Sequence, residues 1–325
     1  MPTIKDVARL AGVTVTTVSR VLNNRGYISD ATRKKVYQAM EELNYQPNEI
    51  ARSLHRRQSK LIGLIIPTVS HPFFGELSGF IEYYAHLMGY KVLICNSLLD
   101  RKKEKEYIEM LKSNRVDGII MGSHTLEVEE YMNLNYPIVT FDRRISEEIP
   151  YISSDNYGGG KLATHLLIQK GCKKIAHISG NLQLQLLANK RSQAFIELSK
   201  EHGIESVIVE TDLNVFDITQ YEAMIRNLLE KHPDIDGVFA SSDVMAAYFI
   251  QIGYFLNRRI PEHIKIVGYD DIKLASLFVP PLTTIRQPIE EMAKCAVELI
   301  VKQVNEEPFE RENVFPVELI ERLTT

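Results

Sequence analysis

The sequence predicts a small all-α head carrying a helix-turn-helix, followed by an α/β body of two lobes built on parallel sheets. Three observations predict it. Residues 3–20 read TIKDVARLAGVTVTTVSR, two short stretches of helical apolar spacing joined across Gly12. From Leu61 onward, short unbroken apolar runs alternate with amphipathic stretches, the pattern of parallel strands covered on both faces. The charge is also divided. Residues 1–60 carry 11 Lys and Arg against 5 Asp and Glu, and the remainder 27 against 37, so a head at +6 precedes a body at −10 within a chain at −4. A basic segment confined to one end is the electrostatic footprint of phosphate binding.

Each head element has a local cause. Thr3 caps the first helix, with Asp6 near its positive N-terminus. Val7, Leu10 and Ala11 give an apolar face at helical spacing, and Ala8 keeps it slim enough for a second helix to cross closely. Gly12 supplies the sharp turn, where a positive φ is expected. Val13 plugs the small core and Thr14 caps the second helix. Val18, Val21 and Leu22 face inward. Val15, Thr16, Thr17 and Arg20 point outward near the helix start, where a recognition helix meets base edges. A third helix over 30–43 follows Ser29 and turns Val36, Met40 and Leu43 inward. An ordinary helical bundle is the competing reading, and the joint fit of lengths, turn and outward residues to one motif argues against it.

After the head, 44–60 reads NYQPNEIARSLHRRQSK. Pro47 ends the preceding pattern, Asn48 is a good cap, and 49–54 fits one or two helical turns with Ile50 and Leu54 on one side. So short a helix is marginal alone in water. Packed on a twin and a DNA groove, it makes Leu54 a candidate minor-groove wedge, with Arg52, His55, Arg56 and Arg57 on phosphates. A solvated linker fits these residues equally well.

The 325 residues allow the head plus about two ordinary domains. The N-terminus shows no apolar leader pattern and no run approaches a membrane span. Cys95, Cys172 and Cys295 are scattered without metal spacing, each in an apolar context, and read as buried thiols in a reducing compartment. The cytoplasm is the expected location, with no membrane partner. An enzyme is the competing class. No P-loop and no G-x-S-x-G occurs, Gly158-Gly159-Gly160 do not match the dinucleotide fingerprint, and the nine histidines form no H-x-x-x-H pair. Catalytic residues, metal and cofactors are therefore none in this reading, and an enzyme has no use for the basic head.

Candidate strands in the body are 61–66, 90–95, 117–121 and 137–141, then 174–179, 206–210, 236–240 and 264–269. Two such series suggest two similar lobes. A last helix, Ile289–Val304, and a strand near 314–319 cross back and tie them together. Chemistry-bearing residues collect at the strand ends. His71, Phe73 and Phe74 follow the first strand and Asp142 and Arg143 the fourth. Arg191 opens RSQAF, Ser242 and Asp243 follow the seventh strand, and Asp270 and Asp271 the eighth. Carboxylates and arginine near aromatic faces suit a sugar, whose vicinal hydroxyls take bidentate bonds while its C–H faces stack. Taken singly, Asp243 or Asp270 reads as well as a helix cap, and Phe73 or Phe74 as core.

The stretches T-I-K-D-V-A, A-G-V-T, T-V-S-R-V-L-N, T-R-K-K-V, L-N-Y-Q-P-N and A-R-S-L resemble the lac-repressor family of bacterial transcription regulators, and the resemblance covers essentially the whole chain. It implies a homodimer on a near-palindromic operator. By it Val15, Thr16 and Arg20 match base-reading positions and Leu54 the minor-groove leucine of a hinge helix, which favours the wedge over the linker. Thr3, Thr17, Asn23 and His55 complete the expected DNA-binding set. The body is similar to the two-lobed periplasmic-binding-protein fold, which closes on a ligand between lobes at strand carboxyl ends. Asp142, Arg191, Ser242 and Asp270 match positions lining the family's effector pocket, and the stretch around Phe73 matches its first pocket loop. His71 and Arg143 complete the expected ligand-binding set. V-G-Y-D-D followed by P-P-L-T-T-I is family-like as well. One departure is Leu213 after Asp212, where many members carry an aromatic. Phe216 is the candidate substitute.

The resemblance implies domains at 1–46 for DNA binding, 47–60 for hinge helix and linker, and 61–325 for effector binding and dimerisation. The first lobe takes about 61–156 and 288–308, the second about 157–287 and 309–325. The implied function is a repressor of a carbohydrate operon, released from operator DNA by a sugar or sugar phosphate. IPTVSHPFFGEL is most similar to sucrose-operon repressors, which favours the sucrose pathway. The alternative is a regulator using a purine or phosphoprotein co-repressor.

Overall fold

The computed structural model describes residues 2–46, 58–132, 134, 136–211 and 218–325. The chain divides into two compact units, Met1–Ser59 and Lys60–Thr325.

The first unit holds α1 (Ile4–Ala11), α2 (Val15–Leu22) and α3 (Asp30–Glu42). At the start of α1 the Thr3 backbone N and Oγ1 donate to Asp6 at 2.9 and 2.7 Å. Gly12 takes φ +67° and lets Val13 N–H return to the Ala8 carbonyl at 3.0 Å, which closes the helix. Thr14 and Ser29 cap the next two helices, accepting from Thr17 N at 3.2 Å and Thr32 N at 3.3 Å. Val7, Ala8, Val18, Val21, Val36 and Ala39 form the core. Leu10 does not join it and is 45% exposed. The apolar stripe runs from Ile4 through Val7 and Ala8 to Ala11, and Leu10 lies off that line.

The second unit begins with β1 (Leu61–Ile66), α4 (Pro72–Leu87), β2 (Lys91–Asn96), α5 (Arg101–Ser113), β3 (Gly118–Met121), α6 (Val128–Met132), β4 (Ile138–Phe141) and β5 (Tyr151–Ser154). It continues with α7 (Asn156–Gln169), β6 (Lys174–Ser179), α8 (Lys190–Glu201), β7 (Glu205–Glu210), α9 (Ile218–Lys231), β8 (Gly237–Ala240), α10 (Asp243–Phe255), β9 (Lys265–Asp270) and β10 (Thr283–Arg286). The last elements are α11 (Ile289–Val304), β11 (Glu312–Phe315) and β12 (Glu318–Ile320). Two six-stranded sheets result, in the orders β2-β1-β3-β4-β5-β11 and β7-β6-β8-β9-β10-β12. All neighbours are parallel except β10 and β12. The order is the same in both lobes, so each has its switch point beside its first strand, and a crevice opens at the carboxyl ends there.

Two findings differ from the sequence reading. The strand near 314–319 is two strands: β11 pairs with β5, Phe315 opposite Ser154, and β12 pairs with β10, Glu318 opposite Arg286. The segment 309–325 therefore serves both sheets instead of the second lobe alone. Pro316 stands between the two strands and cannot donate to a ladder. Cys95 and Cys172 are buried as expected, but Cys295 is only partly covered.

Two glycines bring the layers of the second lobe together. A Cβ on Gly159 would lie 2.6 Å from Tyr269 Oη, and one on Gly160 would lie 2.6 Å from the Arg191 carbonyl. Only glycine lets α7 press against both α8 and β9 at these points. Among the described residues no helix is long and apolar enough to cross a membrane.

Candidate DNA-reading face and effector cleft

On the head, Val15, Thr16 and Arg20 are exposed on one side of α2. Thr17 is half-buried and its hydroxyl pairs with that of Thr14 at 2.9 Å. Asn23 Nδ2 donates to the Ser19 carbonyl at 2.9 Å and helps close α2. Thr3, Thr17 and Asn23 thus spend their side chains on helix ends, and Val15, Thr16 and Arg20 are what the face offers to base edges. Leu54 and His55, with the rest of 47–57, lie outside the described residues, as do Asp212, Leu213 and Phe216.

In the body, the strand ends enclose a cavity of about 220 Å³ lined by Phe74, Leu99, Arg191, Tyr221, Ser241 and Met245 among others. Arg191 is its best-held polar group. It is 6% exposed, with its guanidinium 3.5 Å from the Tyr269 ring centroid. Its Nε donates to Asn156 Oδ1 at 2.6 Å and its Nη1 to the Ser241 carbonyl at 2.8 Å. Asn156 in turn donates to Asp142 Oδ1 at 3.0 Å, and Ser153 Oγ donates to the same oxygen at 2.6 Å. Asp142 and Arg191 are therefore joined through Asn156, which the sequence did not single out. Backbone strain marks the same region: Leu99, Asp142 and Asp270 sit at φ 57°, 53° and 118°.

Of the seven expected ligand-binding residues Arg191 lines this cavity, and His71, Phe73, Asp142, Arg143, Ser242 and Asp270 do not. Phe73 is 8% exposed and belongs to the core, while its neighbour Phe74 lines the cavity. Helix α4 starts at Pro72, and successive residues on it diverge by about 100°. Ser242 accepts from Met245 N at 3.2 Å as the cap of α10, and Ser241 lines the cavity instead. Arg143 turns its Nη1 to the His124 and Leu126 carbonyls, both at 3.1 Å, and lines an adjoining hollow. His71 precedes α4, packed edge-on against Phe74 at 5.7 Å, and burial holds its imidazole neutral by pushing it down to about 4.

Asp270, at the end of β9, accepts from Gln287 Nε2 at 2.7 Å. Burial pushes its carboxyl up to about 7, against the pull of the Arg191 cation and the Gln287 bond. Asp243, also buried, accepts from Ile272 N at 2.9 Å and from Thr284 Oγ1, and burial followed by repulsion from Asp270 raises its carboxyl well above the ordinary range. Two backbone donors fasten the lobes across the cleft: Leu187 N to the Asp142 carbonyl at 2.7 Å, and Lys273 N to Glu76 Oε1 at 2.9 Å.

Residues 3–48 match the family described as bacterial regulatory proteins, lacI family, and 164–325 match a periplasmic binding protein-like domain. The ribose operon repressor of Halalkalibacterium halodurans is 42% identical, across 100% of this chain and 97% of its own. The chain belongs to the lacI family of bacterial regulatory proteins. The sucrose operon repressor of Streptococcus mutans is 39% identical over 98% of this chain and 97% of its own. A crystal structure of the lac repressor dimer bound to operator and an anti-inducer matches with a TM-score of 0.86 at 26% identity, covering 99% of this chain and 98% of that one. The resemblance read from the head motifs and the two-lobed parallel fold both hold for this lacI-family chain.

Proposed function

We propose that the protein is a transcriptional repressor of a carbohydrate operon, binding its operator as a homodimer and released by a sugar in the cleft. The observation that carries this reading is the pairing of two features in one chain. One is a helix-turn-helix offering Val15, Thr16 and Arg20. The other is a cavity in which an arginine is fixed between Tyr269, Asn156 and Ser241, its charge felt by the buried Asp270. A helix-turn-helix dimer reads two half-sites, and a fixed guanidinium with apolar neighbours suits a ring rich in hydroxyls. Relatives named for ribose and sucrose operons support a carbohydrate. The cavity of about 220 Å³ holds about seven waters at ~30 Å³ each, which suits one sugar ring. The sucrose pathway remains the finer reading. The protein acts as a switch and not as an enzyme, through the different affinities of a ligand for two states of the body.

Operator retardation with a panel of sugars tests it. A sugar that releases the full-length protein from DNA, and is recovered unchanged, is the expected result. Operator binding indifferent to every sugar, or turnover of one, overturns it.

A further inference from the structure

Helix α5 buries Glu104, Ile108 and Leu111 along one face. Their spacing is that of an apolar stripe, and its first place holds a carboxylate that is 0% exposed. The surrounding RKKEKE reads as a solvated charged face, which hides it in the sequence. Taking a carboxylate out of water is unfavourable, and an apolar side chain would serve the core better. Among the described residues its partners are neutral donors: Ser123 Oγ at 2.6 Å, Thr125 N at 3.3 Å and the Tyr131 hydroxyl.

Two of these donors end chains that begin in the wall of the cleft. Tyr131 Oη accepts from Leu126 N at 3.3 Å. Burial, then the charge of Glu104, pushes that hydroxyl well above its usual range, so it keeps the proton it donates. Leu99 N donates to Ser97 Oγ at 3.3 Å. Ser97 Oγ donates to Ser123 Oγ at 2.7 Å, nearer than the Ile66 carbonyl at 3.2 Å. A hydroxyl carries one hydrogen, so the acceptor at the far end sets the direction of every link. Both chains therefore run from a backbone N–H to Glu104. They hold the corner 97–99 after β2 and the segment 123–126 after β3. The corner is strained, with Leu98 and Leu99 at φ 55° and 57°. Such backbone persists only where its surroundings over-determine it. Leu99 lines both the cavity and the adjoining hollow, Leu126 lines the hollow, and Glu104 lines neither.

We propose that Glu104 is a positioning residue for effector binding: through Ser123, Ser97 and Tyr131 it fixes the Leu98–Leu99 corner and the 123–126 segment in the shape the cleft offers its ligand. This rests on the reading of the cleft as the effector site.

Hydrogen exchange and calorimetry on the full-length protein test it, with sucrose, ribose, glucose and fructose as probes. Glu104→Ala leaves both chains without an end. The Leu99 and Leu126 amides should then exchange roughly tenfold or more faster. Affinity for the probe that binds wild type should fall roughly tenfold, with operator affinity within about twofold. Glu104→Gln is the conservative variant. Its oxygen can accept from Tyr131 while its amide donates to Ser123, whose chain then reverses onto the Ile66 carbonyl. It should recover most of the probe affinity. Ser97→Ala and Tyr131→Phe each cut one chain and decide the matter if Glu104→Ala fails to fold. Each should quicken its own amide, Leu99 or Leu126, and weaken the probe. Unchanged exchange at both amides in the folded variants overturns the chains. Faster exchange with unchanged probe affinity overturns the positioning role and leaves the cleft standing. Binding of none of the four probes by protein that still holds DNA overturns the proposed function, and this inference with it.

Discussion

The Arg191 guanidinium lies 3.5 Å from the centroid of the Tyr269 ring, and that stack sets the direction of its remaining N–H groups. With Nε on Asn156 and Nη1 on the Ser241 carbonyl, the planar fork has little freedom left. Such an anchor binds without first being ordered.

Arg191→Lys keeps the charge and loses the stack and the fork. It should cost sugar binding about 1–3 kcal/mol while operator affinity stays near wild type. Calorimetry and operator retardation on the same preparation separate the two. Sugar affinity equal to wild type would remove Arg191 as the anchor.

Gly160→Ala places a methyl 2.6 Å from the Arg191 carbonyl, a backbone atom that cannot swing aside. Overpacking of this kind costs about 1–3 kcal/mol, and urea unfolding should show it. Because α8 carries Arg191, sugar affinity should fall as well. A variant as stable as wild type would show that α7 and α8 have slack between them.

The pH dependence of Asp270 has a definite sign. Its carboxyl is pushed up to about 7, so across roughly pH 4 to 7 the folded protein keeps a proton that the unfolded chain has released. Its contribution to stability is present below that window and lost as pH rises through it. His177, pushed down to about 4 by burial, runs oppositely and loses stability as pH falls below ~6.5. The informative quantity is therefore the difference between Asp270→Asn and wild type. The variant should be the more stable at about pH 8, with the gap closing towards about pH 5. Thermal unfolding across pH checks this, and a gap that is flat or widens in acid counts against it.

In the head, Arg20→Ala should cost operator binding about 1–3 kcal/mol and relax base preference, since Arg20 is exposed on the outer face of α2. Competition between operator and scrambled DNA measures both effects. An unchanged preference would leave Arg20 with phosphate contacts only.

Leu54→Ala should weaken operator binding strongly and leave sugar affinity almost untouched. The motivation is the sequence 48–54, whose helix is too short to persist alone and whose leucine has the reach of a minor-groove wedge. Hydrogen exchange of 48–54 follows the same event. Slow exchange in the free protein, unaltered by operator, contradicts a hinge that folds on DNA.

The sequence alone determined the helix-turn-helix, the two lobes and eight of the strands, because local patterning carries these: capping threonines, a turn glycine, and apolar runs of strand length. It also placed Asp142 and Asp270 at strand ends and Arg191 at a helix start. Strands β5 and β10 escaped it, since YISS and TTIR lack the chiefly apolar run that marks the equally short GIIM, IVTF and GVFA. Tertiary structure alone decided which aromatic faces the cleft, Phe74 over Phe73, because helix phase is set by where α4 packs. It alone joined Asn156 and Tyr269 to Arg191, and gave Gly159 and Gly160 their reason. Those residues act through neighbours remote in sequence, and a contact between two elements exists only once both have packed.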